Sequence, residues 1–115
     1  MAFVRIGEAS KASGVSERMV RHYEKLGMMP EPARRASNYR IYTNIDVERL
    51  RFIAQARSLG IPLEAIAELL DADEPVRPLL VQDWIVLLDT KAADLEDLRL
   101  QVGEMAKDTP FGASS

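Results

Sequence analysis

The sequence predicts a mainly α fold, in which a small head containing a β-hairpin is followed by one long helix. Apolar residues recur at spacings of three and four through most of the chain, which is the period of an amphipathic helix. Gly14, Gly27 and Gly60 interrupt that pattern where helices would end. Only residues 38–43 alternate in the manner of a strand.

Charge is divided unevenly along the 115 residues. Residues 1–60 hold 11 Lys and Arg against 6 Asp and Glu, whereas residues 61–115 hold 4 against 12. The net charge of −3 therefore hides a basic first half and an acidic second half. We expect any anionic partner to bind the first half.

Composition excludes several classes of protein and of site. The chain has no cysteine, so it can form neither disulfides nor thiolate metal sites. No apolar run is long enough to span a membrane, and the N-terminus does not resemble a signal peptide. We therefore expect a cytoplasmic protein. Because the chain has a single histidine, few residues are available for catalysis, and we expect neither an enzyme nor a need for a cofactor.

The first two helices are predicted to be joined by a tight turn. Ile6, Ala9 and Ala12 are spaced for one helix face, Gly14 suits a left-handed turn, and Ser16 suits the N-cap of the next helix. The second helix should continue to about Leu26.

On the second helix we expect apolar residues to face the first helix and basic residues to face outward. The predicted inward residues are Val15, Met19 and Leu26, and the outward residues are Arg18, Arg21, His22 and Lys25. Two helices joined by a glycine turn, with a basic face on the second, form the helix-turn-helix pattern.

A hairpin is predicted to follow. Residues 29–36 contain two prolines and should be extended, and residues 38–43 should form a strand that pairs back. Arginine and tyrosine cluster twice, at residues 21–24 and at residues 38–42. Because Arg offers a fork of donors and Tyr a hydroxyl on a rigid arm, both clusters point to phosphate. Tyr42, beside the third helix, is predicted to be a packing residue.

A pair of helices comes next. Thr43 and Asp46 have the spacing of a capping box that starts the third helix, and Pro62 suits the first turn of the fourth. The predicted inward residues are Val47, Leu50, Ile53, Ala54 and Leu59 on the third helix, and Leu63, Ile66, Ala67 and Leu70 on the fourth. Residues 71–75 form an acidic connector, which we interpret as a solvated turn and not as a cation site.

The last helix shows the most regular pattern. Eight positions alternate at spacings of three and four, and we call them the seam: Val81, Trp84, Leu88, Lys91, Leu95, Leu98, Val102 and Met105. Seven of them are apolar, which is typical of a coiled coil. Because so narrow a stripe needs an equivalent stripe, we expect a homodimer.

Lys91 is the exception in the seam. An apolar residue would pack better there, so we expect Lys91 to pair across the dimer with Asp94 or Asp89 and to fix the register.

These segments together resemble the MerR family of bacterial transcriptional regulators. The resemblance is carried by the runs at residues 21–27, 38–42 and 55–60, in the expected order, and it covers about residues 4–110. It implies a winged helix-turn-helix head with a helical pair (residues 1–75), an antiparallel coiled-coil dimerisation helix (76–108) and a short tail (109–115). It also implies binding to a pseudo-palindromic operator within a promoter spacer, which the regulator bends and untwists so that RNA polymerase can engage.

The resemblance assigns the DNA-contacting residues by position. They are Ser16, Arg18, Arg21, His22 and Tyr23 on the recognition helix, Arg34, Arg35, Tyr39 and Arg40 on the wing, and Arg57 on the third helix. Arg18 and Arg21 are the expected base contacts, and the others should position the duplex through phosphates.

The chain departs from the metal-sensing relatives that this family contains. Those carry thiols at the start of the long helix or in the loop after it, where this chain has Asp73, Glu74 and Thr109. We therefore expect neither thiolate sensing nor a drug-binding domain after the helix. Three alternatives stay open: a small-molecule effector in a pocket lined by Trp84, regulation without an effector, or a shortened or cysteine-substituted sensor. The alternative function is that of an excisionase-like or architectural DNA-binding adaptor, which binds DNA without activating a promoter.

Overall fold

The computed structural model describes residues 3–30, 33–34 and 40–107, with residues 33 and 34 described by their backbone alone. The chain divides into two compact units, Met1–Asp71 and Ala72–Ser115. The first unit contains strands β1 (Phe3–Val4), β2 (Ala33–Arg34) and β3 (Arg40–Thr43), and helices α1 (Ile6–Ser13), α2 (Glu17–Lys25), α3 (Asn44–Ser58) and α4 (Leu63–Asp71). The second contains α5 (Arg77–Glu104) and a 3-10 turn (Met105–Lys107).

The predicted glycine turn joins α1 to α2. Gly14 has φ 78° and its amide donates to the carbonyl of Ser10, which ends α1 in the left-handed conformation that glycine adopts without strain. Ser16 is the N-cap of α2, because its hydroxyl accepts a hydrogen bond from the Met19 amide at 3.2 Å. Both elements of the helix-turn-helix thus form as predicted.

The small sheet has the strand order β1–β3–β2, with both pairs antiparallel. Val4 pairs with Tyr42 on one side of β3, and Arg34 pairs with Arg40 on the other. The first strand has only two residues, and it forms because β3 supplies its partner. The central position of β3 connects the hairpin to the rest of the head.

The helical pair forms with the predicted cap. The Thr43 amide donates to Asp46 Oδ2 at 2.9 Å, and the Asp46 amide donates to Thr43 Oγ1 at 3.2 Å, which completes a capping box. From there α3 packs against α1 and α4. The core of the head includes these fully buried side chains: Val20, Tyr42, Leu50, Ile53, Ile61 and Ile66.

Several predicted core positions are wrong. Met19, Leu26 and Leu59 are 37%, 51% and 44% exposed, and Ala12 is also exposed. Leu26 and Leu59 are the C-caps of α2 and α3, where the chain begins to leave the helix and the helical period no longer sets side-chain direction.

Other residues bury instead of the misassigned ones. On α2 the inward face is carried by Val20, about 100° around the helix from Met19, and by Tyr23, about 40° from it. Ser13 on α1 and Ala56 on α3 are buried, and Ala54 is only half-buried. On α4 only Ile66 is fully buried, while Leu63, Ala67 and Leu70 are half-buried.

The long helix α5 has 28 residues, and none of them is buried. At 1.5 Å per residue it is about 42 Å long. It begins one residue later than predicted, and its C-terminal end tightens into the 3-10 turn at residues 105–107. Within the part of the chain that the structure describes, no helix is long and apolar enough to cross a membrane.

Candidate nucleic-acid interface

The basic face of α2 is exposed as the sequence predicts. Arg18, Arg21, His22 and Lys25 are all exposed, while Val20 and Tyr23 anchor the opposite face in the core. Because the anchors fix the rotation of the helix, the cationic side chains all project from the head. We call these four residues the basic face.

Arg21 stays available for an anion. Its Nη2 lies 3.8 Å from Glu17 Oε1, and the two side chains are 54% and 48% exposed. An ion pair so exposed to water contributes little and is screened by salt. A phosphate group could therefore replace Glu17 as the partner of Arg21 at small cost.

Ser16 and Tyr23 have structural roles in the head. The Ser16 hydroxyl already caps α2, and Tyr23 is only 5% exposed. The ring of Tyr23 lies 6.3 Å from the ring of His22, tilted by 43°. Burial does not support the prediction that Tyr23 faces DNA; its ring supports the basic face from inside the head.

A carboxylate joins α2 to the central strand. Tyr42 donates its hydroxyl proton to Glu24 Oε2 at 2.6 Å, and Arg40 Nη1 lies 3.1 Å from Glu24 Oε1. The latter contact is an ion pair whose two atoms are not aligned as a hydrogen bond. The Glu24 side chain is 9% exposed and that of Arg40 is 32% exposed. We call Glu24, Arg40 and Tyr42 the brace.

The phenol of Tyr42 is held in its neutral form. Burial raises the pKa of Tyr42 well above its ordinary value, and the hydrogen bond to Glu24 and the charge of that carboxylate raise it further. Tyr42 therefore stays a hydrogen-bond donor throughout the pH range in which proteins are handled. The prediction that Tyr42 is a packing residue is confirmed, since it is 1% exposed.

Glu24 is a site residue that the sequence interpretation missed. It lies in the last turn of α2, where the helix dipole disfavours an anion, and Lys25 follows it. A carboxylate at such a position needs a partner elsewhere in the fold. The unfavourable position of Glu24 in the sequence could have indicated that it has a partner, but only the tertiary structure shows that the partners come from β3.

The other predicted contact residues are placed less completely. Arg57 is exposed in the last turn of α3, and its Nη1 donates to the carbonyl of Ile61 at 3.0 Å, which supports the turn after the helix. Arg34 lies on β2, where only its backbone is described. Arg35 and Tyr39 lie outside the described residues.

Two arginines that were not predicted as site residues hold the head together. Arg49 Nε donates to the carbonyl of Met28 at 2.6 Å, just after α2, and its Nη2 lies 3.4 Å from Asp71 Oδ1. Arg51 Nη2 donates to the carbonyl of Ala12 at 2.6 Å, at the end of α1. Both arginines thus tie α3 to the helix-turn-helix.

No arrangement for a metal is found in residues 3–30, 33–34 and 40–107. Within those ranges no three His, Asp or Glu side chains are grouped so that they could hold an ion. The acidic connector near Asp73 and Glu74 is exposed. The described surface that stands out chemically is therefore the basic face beside the brace.

Comparison with known families decides the classification. Residues 4–73 match the model of the MerR HTH family regulatory proteins, and residues 47–107 match the model described as MerR, DNA binding. The chain belongs to the MerR family. It is a DNA-binding transcriptional regulator, and the resemblance seen in the sequence is confirmed.

Two of the curated relatives of this MerR-family chain come from rhizobia. It is 40% identical to the HTH-type transcriptional regulator HmrR of Sinorhizobium medicae, over 90% of this chain and 74% of the relative. It is 51% identical to the heavy metal-dependent transcription regulator 2 of Rhizobium meliloti, over 58% of this chain and 46% of the relative. The chain thus spans less than half of the second relative.

Among solved structures, the MerR-family fold recurs over nearly the whole chain. The structure of HiNmlR, described as a MerR family regulator lacking the sensor domain and bound to promoter DNA, has a TM-score of 0.74. The match covers 97% of this chain and 92% of that one, with 20% sequence identity. Similarity at that level of identity establishes the fold, which is the winged helix-turn-helix head and long helix predicted from the sequence.

Proposed function

We propose that this MerR-family chain binds a pseudo-palindromic operator in promoter DNA as a homodimer and bends and untwists it. The observation that carries the proposal is the basic face of α2, which is exposed and backed by buried Val20 and Tyr23. A helix presented in this way fits the major groove, and the neighbouring wing would contact the flanking backbone. The protein would act in the bacterial cytoplasm, without catalytic activity.

The seam supports the proposed dimer. Its apolar members are half-buried or exposed in the single chain, and Leu95, Leu98 and Val102 are 60%, 55% and 55% exposed. A second copy of α5, packed antiparallel, would remove this stripe from water. Two basic faces related by a two-fold axis would then match the two half-sites of an operator.

An effect on transcription separates the proposed regulator from an architectural protein, because both would distort the DNA that they bind. A footprint of the purified protein on a promoter with an overlong spacer, combined with transcription in vitro on the same template, tests both. We expect protection of an inverted repeat together with a change in transcript level. Protection without any effect on transcription would favour the architectural alternative, although the long seam argues against it.

The signal to which the regulator responds is the subject of a separate proposal. Of the two relatives described above, both are named as transcription regulators, and the name of the second also says that it depends on heavy metals. The 115 residues of this chain contain no cysteine, so we propose that this segment, which lacks thiolate ligands, is not a sensor of metals that prefer them. Transcription in vitro with and without added zinc, mercury or lead salts tests this, and a metal-dependent change in transcript would contradict it.

Arg21→Ala should weaken operator binding and flatten its dependence on salt. If Arg21 neutralises one phosphate, the slope of log affinity against log salt should fall by about 0.9 for each protomer. Fluorescence anisotropy over a series of salt concentrations measures both quantities. If Arg21 contacts a guanine instead, the loss should be about 1–3 kcal/mol and confined to operators with that base.

Arg99→Ala is the matched control for Arg21→Ala. Arg99 is also exposed, at 71%, and also paired with a glutamate of its own helix, Glu96, at 2.6 Å. It lies on α5 and is not a member of the basic face. Equal losses of affinity in the two variants would show that only total charge matters, and would contradict the role given to Arg21.

Lys91→Leu should stabilise the dimer while weakening the choice of register. Lys91 is half-buried in the single chain and occupies the seam between Leu88 and Leu95. An apolar residue there removes the cost of burying a charge but also the proposed pairing with Asp94 or Asp89. Sedimentation and thermal unfolding measure the change. Unaltered stability together with unaltered dimer order would refute the register role.

A further inference from the structure

We propose that the brace sets the position of the wing relative to the recognition helix, and that Arg40 acts through Glu24 as a positioning residue. This inference rests on the proposed function, because it concerns how the head meets DNA. It differs from the role that the family resemblance gives Arg40, which is a direct phosphate contact. The three side chains of the brace carry the argument.

The burial of Glu24 is the first step. At 9% exposure its carboxylate has lost most of its water, which is costly unless charged or polar groups replace it. Tyr42 Oη at 2.6 Å and Arg40 Nη1 at 3.1 Å are the replacements. Because both belong to β3, the carboxylate keeps its hydrogen bond to Tyr42 and its ion pair with Arg40 only while α2 and β3 keep their present separation.

The geometry of β3 is the second step. Arg40 and Tyr42 are two residues apart, so they project from the same face of the strand and reach the carboxylate together. Tyr42 pairs with Val4 of β1, and Arg40 pairs with Arg34 of β2. Glu24 therefore holds β3 on both sides of Ile41, at the point where the hairpin joins the head.

Competition for Arg40 is the third step. With 32% of its side chain exposed, Arg40 lies between Glu24 and solvent. A phosphate that took Arg40 would leave the buried carboxylate with Tyr42 alone, and an unpaired buried charge is strongly unfavourable. Arg21, whose partner Glu17 is half-exposed, has no such restriction. Arg21 can therefore exchange its partner for a phosphate at small cost, whereas Arg40 cannot.

The test uses two duplexes and one matched pair of variants. Wild-type protein first selects an operator duplex from a random-sequence pool, and a shuffled duplex of equal composition serves as the non-operator. Glu24→Gln removes one charge from the brace, and Glu17→Gln removes one charge from an exposed pair on the same helix. Each variant gains the same net charge, so any difference between them comes from position.

We expect Glu24→Gln to lower operator affinity by about tenfold while affinity for the shuffled duplex stays equal or rises. Glu17→Gln should not lower either affinity. Tyr42→Phe should weaken operator binding in the same direction by a smaller factor. Arg40→Met should weaken it without changing the salt slope, and Glu24→Gln/Arg40→Met should lose no more than the single variants, because the residues act as one unit.

The opposite outcome is equally well defined. If Arg40 is simply a phosphate contact, Glu24→Gln frees it and strengthens operator binding, and Arg40→Met lowers the salt slope by about 0.9 for each protomer. Either result overturns the brace. Circular dichroism of every variant shows that it is folded at the temperature of the binding assay.

Hydrogen exchange in the absence of DNA separates this inference from the proposed function. In Glu24→Gln, amides of residues 33–34 and 40–43 should exchange about tenfold faster than in Glu17→Gln, with α3 and α4 unchanged. Unchanged exchange in the hairpin refutes the brace. Faster hairpin exchange in Glu24→Gln, combined with a wild-type protein that selects no operator, would refute the proposed function and leave the brace standing.

Discussion

Leu98→Glu is expected to convert the proposed dimer to a monomer and to abolish tight operator binding. Each dimer would contain two such carboxylates in its apolar seam, and burying an unpaired charge costs several kcal/mol. We expect the dimer dissociation constant to rise at least about 100-fold, which corresponds to about 2.7 kcal/mol. Sedimentation equilibrium measures it directly.

Loss of the dimer should be transmitted to DNA binding. A monomer brings one basic face to one half-site and loses the effective concentration that links the two. Operator affinity of Leu98→Glu should therefore fall towards that of an isolated head, although the head itself is unchanged.

Leu100→Glu is the control for the seam. Leu98 and Leu100 are each 55% exposed in the single chain, and they lie two residues apart on α5. Two residues turn a helix by about 200°, so Leu100 projects away from the seam. We expect Leu100→Glu to stay dimeric. If both variants dissociate equally, or neither does, the seam is not the dimer interface.

Ile53→Ala should have the largest effect on the stability of the head. Ile53 is fully buried at the centre of α3, and deleting its branched side chain leaves a cavity between packed helices. A cost of about 2–5 kcal/mol is expected, a large part of the roughly 5–15 kcal/mol that a domain possesses. Urea unfolding followed by circular dichroism should show a lower midpoint with an unchanged slope.

Ile45→Ala provides a matched comparison on the same helix. Ile45 is 71% exposed in the first turn of α3, so the same substitution removes no core contact. Its effect should lie within about 0.5 kcal/mol of zero. Equal destabilisation by the two variants would contradict the core described for the head.

Local patterns predicted most of the secondary structure and the main surface. The turn at Gly14, the Ser16 cap and the capping box of Thr43 and Asp46 depend on neighbouring residues, so they were visible before the fold was known. The basic face was predictable for the same reason, since residues three and four apart share one side of a helix.

Predictions failed where the helical period ended or where partners were distant in sequence. Leu26 and Leu59 were assigned to the core by continuing a period past the last residue of a helix. Val20 and Tyr23, not Met19, face inward from α2, because the core of the head lies on their side of the helix. A choice between adjacent faces depends on packing.

The sequence by itself determined the family, through the order of its motifs. It also determined the order of elements and the exposed cations of the recognition helix, because these depend on contacts between near neighbours. Only the tertiary structure distinguished the surroundings of Arg21 from those of Arg40. Arg21 is free to meet an anion, whereas Arg40 is held by Glu24, which lies 16 positions earlier in the chain. The pairing is invisible in the sequence because a buried carboxylate finds its partners through the fold.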